Sequence, residues 1–198
     1  MCPPKIDRDN SGAPIKLSTE EKQFLLTTAR TVIEKKARGE TVPETEPPTD
    51  LLKQECGAFV TLNKQGSLRG CIGYIEAYKP LYITIGEMAE AAAFSDPRFP
   101  AVTVDEVEEL EIEISVLSPL QRAKDPREVE VGVHGIYIKS GGQSGLLLPQ
   151  VATEYGWDRE LFLVQTCHKA GLPSEAWKEP DTEVYLFTAE IFSEGEGD

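Results

Sequence analysis

The 198-residue sequence predicts an α+β fold, a mostly antiparallel β-sheet with helices packed on it. Three observations predict it. Hydrophobic periodicity changes along the chain in the order helix, hairpin, helix, strand, hairpin, helix, strand. The strand–helix–strand alternation of a parallel sheet is absent. Leu110, Ile112, Ile114 and Val116 alternate with Glu111, Glu113 and Ser115, the pattern of a half-buried strand.

Taken in order, residues 1–16 read as a flexible, proline-containing leader. Ser18 and Glu21 have the spacing of a capping box, and Phe24, Leu25, Thr28, Ala29, Val32 and Ile33 follow at helical spacing up to a stop at Gly39. Thr41 to Thr49, with three prolines and three glutamates, is loop, and Asp50 to Gln54 is a helical turn. Gly57 to Leu62 and Leu68 to Ile75 are strands joined through Asn63-Lys64-Gln65-Gly66 as a hairpin. Pro80 opens a second helix with Leu81, Ile85, Met88, Ala89 and Ala92 on its apolar face. It ends before Ser95-Asp96-Pro97-Arg98-Phe99-Pro100, a stiff loop.

Thr103 and Glu106 make a second capping box, starting a short acidic helix, before the 110–116 strand, whose carboxylates fall on the solvent parity. Gln121 to Glu130 is a polar connection. Gly132 to Lys139 is a further strand, with His134 on the buried parity of Ile136 and Ile138. Gly141 to Gly145 is a turn, Leu146 to Leu148 a short strand, and Pro149-Gln150 a helical turn. Asp158 caps a helix that runs to Ala170 and stops at Gly171. Val184 to Ile191 is one last strand with Tyr185, Phe187, Ala189 and Ile191 on one face. Residues 193–198 are an acidic tail.

Bulk properties narrow the function. The net charge of −14 opposes binding to nucleic acid or to an anionic membrane through phosphate contacts. There is no apolar run of about 18 residues and no apolar stretch near the N-terminus, so no membrane span or signal peptide is read and a cytoplasmic protein is expected. The four cysteines (Cys2, Cys56, Cys71, Cys167) lack CxxC spacing and are expected to be reduced thiols. Two histidines, His134 and His168, exclude a multi-histidine metal site, and neither metal nor cofactor is indicated. The glycines at 141, 142 and 145 fit no phosphate-loop fingerprint.

The chemistry concentrates in Leu68-Arg69-Gly70-Cys71-Ile72-Gly73. In extended backbone, Arg69 and Cys71 share one face, and Leu68, Gly70 and Ile72 the other. A guanidinium beside a thiol favours the reactive thiolate. Glycines inside a strand mark a bulge or a close approach of ligand or backbone. A small cysteine packed in a tight strand accounts for the same residues. Asp96 and Arg98 add a carboxylate and a guanidinium two residues apart, and Asp96 also suits a turn in which it bonds its own backbone. Cys167 and His168, adjacent on a helix, diverge by about 100° and are no catalytic pair.

Four stretches, Leu68 to Gly73, Phe94 to Phe99, Gly145 to Ala152 and Cys167 to Pro173 with Trp177, together resemble the AMMECR-domain family, also called the AmmeMemoRadiSam system protein A family. The resemblance covers Leu17 to Phe192. It implies a single domain over 17–192 with a larger and a smaller subdomain and the central motif near a cleft between them. It implies company with Memo-like and radical-SAM proteins, but supplies no reaction. The positions it singles out are Arg69, Gly70, Cys71, Gly73, Asp96, Arg98 and Phe99. As an enzyme component, Cys71 would act as a thiolate with Arg69 and Asp96 in catalytic roles and Gly70, Gly73, Arg98 and Phe99 at the substrate. As a binding or protein-interaction module, Arg69 and Arg98 would hold a small carboxylate or phosphate ligand and Cys71 would be packing. A nucleic-acid role is disfavoured, since no basic stripe or aromatic platform is present.

Overall fold

The computed structural model describes residues 15–195. The leader up to residue 14, with Cys2, and the tail from 196 lie outside them. The chain forms two compact units, residues 15–118 with 189–195, and residues 119–188.

The first unit begins with helix α1 (Thr19–Ala37). Ser18 Oγ accepts the Glu21 N–H while the Glu21 carboxylate accepts the Ser18 N–H, the reciprocal box read from the sequence. Strands β1 (Ala58–Lys64) and β2 (Ser67–Tyr74) form the expected hairpin, with Gln65 and Gly66 both at positive φ in the two-residue turn. Helix α2 (Leu81–Phe94) and strand β3 (Leu110–Leu117) follow, and β8 (Ala189–Ser193) completes a four-stranded antiparallel sheet ordered β2-β1-β3-β8. Between α2 and β3 the expected acidic helix is a 3-10 segment, Val104–Glu109.

Ala58, Val60, Leu62, Ile112, Ile114 and Val116 pack with Leu25, Ala29 and Ile33 of α1 and with Ile85, Ala89 and Ala92 of α2. One face of the sheet thus carries the helices. β2 comes close enough to α2 that a Cβ on Gly70 would stand 2.3 Å from the Ala92 carbonyl oxygen. A side chain there forces the strand off the helix.

The second unit contains a sheet ordered β4-β7-β5-β6, from β4 (Gln121–Arg122), β7 (Glu183–Phe187), β5 (Gly135–Ser140) and β6 (Gln143–Leu147). Helices α3 (Pro149–Glu154) and α4 (Arg159–Lys169) accompany it. Its core joins Ile136, Ile138, Val184 and Leu186 with Phe162, Leu163 and Cys167 of α4. Asp158 caps α4 by accepting the Leu161 N–H, as its sequence predicts.

Three expectations change. The last strand is two: β7 pairs with β5 and β4, β8 pairs with β3, and the chain passes between units at Thr188. Its buried residues are therefore Val184, Leu186, Phe187 and Phe192 rather than one continuous stripe, since each half answers to a different sheet. Second, β4 lies in the stretch read as a polar connection. Third, His134 precedes β5 in a turn, half-buried, and its Nδ1 accepts the Glu130 N–H at 3.1 Å, so a local bond and not a core position fixes it.

Gly70→Ala is expected to destabilise the protein by about 1–3 kcal/mol, because the methyl has backbone and not a flexible side chain in its way. Denaturant titration against wild type checks it, and an unchanged midpoint would refute the close approach.

Candidate functional site

Strand β2 lies at the edge of its sheet, bonded on one side to β1. The register pairs Leu62 with Gly70 and Asn63 with Leu68, so Arg69 is an extra residue, a β-bulge. The bulge corrects the alternation read from the sequence. Gly70 and Ile72 face the helices and Cys71 the opposite side, as expected. Leu68, however, crosses to the side of Asn63 and is 44% exposed. One inserted residue inverts parity for everything before it.

Arg69 is turned away from the role expected of it. Its Nε and Nη2 donate to the Glu106 carboxylate at 3.3 and 3.1 Å, and only 9% of the residue is exposed. Glu106 also accepts from the Thr103 N–H at 3.1 Å and from Lys64 Nζ at 3.4 Å. The Arg69 bonds, then the Thr103 N–H, outweigh burial and hold the Glu106 carboxyl down to about 2. This guanidinium, compensated by a carboxylate, ties the bulge to the 104–109 segment.

Arg98 is the guanidinium at Cys71. Asp96, 4% exposed, accepts the Cys71 N–H at 2.9 Å through Oδ2. Arg98 donates from Nε and Nη2 to Asp96 at 2.9 and 2.7 Å, and from Nη2 to the Cys71 carbonyl at 3.1 Å. Both main-chain polar groups of Cys71 are therefore satisfied by the 95–100 loop, which stands where a further strand would lie. Asp96 Oδ1 also accepts the Arg98 N–H at 3.1 Å, so the turn read from the sequence and the contact with the motif coexist. The Arg98 bonds, helped by the Cys71 and Arg98 N–H groups, push the Asp96 carboxyl far below the usual carboxylate range. The hydrogen bond to Asp96 raises the Arg98 guanidinium. The Arg98 side chain remains 52% exposed, with its guanidinium 5.4 Å from the centre of the Phe99 ring.

Cys71 is partly exposed, whereas Cys56 and Cys167 are buried. Burial pushes the Cys56 thiol up to about 11 and raises that of Cys167. The Thr61 hydroxyl donates to Cys71 Sγ at 3.3 Å. The glycines of the motif serve packing: Gly70 admits the Ala92 carbonyl, and the Phe59 ring occupies the place of a Cβ on Gly73, 2.3 Å away.

The register adds groups that spacing along the chain could not bring together. Cys71, Thr61, Glu113 and Ser193 stand in one row across the four strands, and Gly73, Phe59, Ser115 and Ile191 in the next. Glu113 is half-buried and not simply solvated, and Ser115 is 1% exposed. Ser115 Oγ has no hydrogen-bond partner among the described residues. Alternation in β3 signalled that these residues share a face, but nothing in the sequence set them beside Cys71.

Fold and site define an α+β protein with two antiparallel sheets and a clamped cysteine on an edge strand. The chain belongs to the AMMECR1 family, whose sequence model matches residues 26–192. A protein of Methanothermobacter thermautotrophicus is 46% identical over 187 residues, 90% of this chain and 96% of that one. Another, from Thermococcus kodakarensis, is 46% identical over 191 residues, 90% and 93% of the two chains. The crystal structure of the uncharacterised protein PH0010 from Pyrococcus horikoshii matches with a TM-score of 0.83 at 44% identity, covering 91% of this chain and 95% of that chain.

The depressed carboxyls have a stability consequence. Both Asp96 and Glu106 favour the folded state when ionised, so their contribution is complete above the ordinary Glu value of 4.5 and is lost as pH falls, for Glu106 through about 2. Glu106→Gln is expected to be less stable than wild type at pH 7 and to show a flatter decline between pH 4.5 and 2, the interval set by its ordinary and folded values. Asp96→Ala, which strands the Cys71 N–H, is expected to cost about 1–3 kcal/mol at pH 7. Urea midpoints at pH 7 and between pH 4.5 and 2 check both, and parallel acid limbs for Glu106→Gln and wild type would exclude the carboxylate linkage.

Proposed function

We propose that this chain is a cytoplasmic component of a small-molecule enzyme system, with Cys71 as its reactive group. The observation that carries this reading is the setting of Cys71. Among the described cysteines it is the one that is not buried, and its main chain is held at both ends by Asp96 and Arg98 while a hydroxyl bonds its sulfur. A nucleophile held in one place reacts with less ordering cost than a mobile one. In this reading Asp96 and Arg98 fix the backbone under the thiol, and Arg69 secures the strand from the other side through Glu106. Phe99 and the exposed part of Arg98 face the incoming molecule, for which a small anion is the best-matched class. The resemblance to AMMECR-domain proteins supplies the company in which such a component would work, Memo-like and radical-SAM proteins. None of the described helices is long and apolar enough to cross a membrane.

A second reading rests on Arg98. Half of this side chain is exposed despite its bonds to Asp96, so it suits a non-catalytic module that holds a carboxylate or phosphate. The net charge of −14 weighs against a nucleic-acid role.

Iodoacetamide labelling of the native protein, read by mass spectrometry, separates the two. Cys71 is expected to label in the folded protein, and Cys56 and Cys167 only on unfolding. Protection of Cys71 until unfolding would sink the reactive-thiol reading and leave the anion module, for which Arg98→Ala should then abolish stabilisation by added phosphate.

A further inference from the structure

The 95–100 loop answers the outer edge of β2 at Cys71 and goes no further, which leaves the next main-chain donor of the strand open beside a guanidinium. We propose that the Gly73 N–H and the Arg98 guanidinium together bind a carboxylate, and that the molecule presented to Cys71 is a small carboxylic acid whose electrophilic carbon lies one or two bonds from that group. The inference rests on the reactive-thiol reading and names its substrate class.

The geometry starts from the ladder. An antiparallel strand turns the main-chain groups of successive residues to alternate sides. Cys71 sends its N–H to Asp96 and its carbonyl to Arg98, both away from β1. The register runs without a shift from Leu62 and Gly70 to Ala58 and Tyr74, so Ile72 turns inward to Val60 and Gly73 turns outward again. No strand lies beyond β2, and no turn or side chain among the described residues takes up the Gly73 N–H. Residues two apart on a strand repeat at about 6.8 Å. Arg98 sits at the carbonyl of Cys71, the end that leads to Gly73. A ligand oxygen at the open donor therefore has the guanidinium as its neighbour.

Arg98 has a donor to spare. Its Nε and Nη2 serve Asp96 and the Cys71 carbonyl, Nη1 serves neither, and the side chain is 52% exposed. The Phe99 ring, 5.4 Å away, backs the group. Arg69, by contrast, is buried against Glu106. Charge then selects the ligand. Asp96 already offsets the Arg98 guanidinium, so a doubly charged phosphate would bring more charge than the site compensates. A planar, singly charged carboxylate has two oxygens for two directional donors. The thiol belongs to the residue whose carbonyl Arg98 holds, so an acid pinned there brings its nearest carbons towards the sulfur. The Phe59 ring lies over Gly73 and gives those carbons an apolar neighbour.

Iodoacetate and iodoacetamide test the assignment, since one carries the carboxylate and the other a neutral amide in its place. With either, a C–S bond forms as the C–I bond breaks, iodide leaves with the electron pair and the thiol proton passes to water. Rates at Cys71 in the native protein are taken relative to those with free cysteine at the same pH. Cys71 is expected to prefer iodoacetate by about tenfold or more on that scale, with a rate that saturates and is competed by acetate. Arg98→Ala is expected to lose the preference while iodoacetamide still labels it. In wild type the amide resonance of Gly73 is expected to move on titration with acetate.

A native protein that iodoacetamide labels but that shows no preference for iodoacetate overturns the carboxylate site and leaves the reactive thiol intact. Stronger protection by phosphate than by acetate overturns the ligand class. A Gly73 amide unmoved by acetate overturns the two-donor site. If neither reagent labels Cys71 before unfolding, the reactive thiol falls and the substrate class with it, and the Gly73 titration alone decides whether the edge binds a carboxylate.

Discussion

The hydrogen bond from the Cys71 N–H to the buried Asp96 carboxylate is the contact on which the arrangement around the motif depends. An edge strand presents main-chain donors and acceptors that must be satisfied or masked. Here a carboxylate takes the donor and a guanidinium serves the acceptor, so one Asp–Arg pair completes the hydrogen bonding of a single residue. Because Asp96 is nearly inaccessible and Arg98 bridges it to the strand, the 95–100 loop and β2 are held as one piece. The direction in which Cys71 turns its main chain then decides which side of Thr61 faces β3.

The two arginines of the motifs divide the labour in a way that their proximity in sequence conceals. Arg69 is two residues from the cysteine but belongs to Glu106. Arg98 is distant along the chain yet bonds the cysteine carbonyl. The bulge at Arg69 is the cause, since it takes the guanidinium out of the regular ladder and hands it to the 104–109 segment. The motif's glycines are explained by what is pressed against them, a helix carbonyl at Gly70 and an aromatic ring at Gly73. All three features hold the strand in place. Cys71, between them, is left partly exposed.

Much of the fold was legible because its signals are local. A capping box is a contact between residues three apart, and Ser18 with Glu21 formed as read. Periodicity is set by which face a neighbouring layer covers, and Leu110 to Val116 alternates because one face of β3 meets the helices. The reading failed where a local pattern served two masters. Val184 to Ile191 has the composition of one strand, yet its halves pair with different sheets, and composition carries no information about the partner. It failed again at Arg69, since a bulge leaves no mark on residue type alone.

The sequence by itself determined the α+β class, the helices with their caps, the hairpin and the stretches that mark the AMMECR1 family. Each rests on short-range propensity or on residue identity. Only the tertiary structure decided that Arg98 serves Cys71, that Arg69 serves Glu106, and that Thr61 and Glu113 share a row with the thiol. These are consequences of strand register and of a loop folding back over about 25 residues. Register is fixed by the burial of one sheet face as a whole, so no single stretch of the chain contains it.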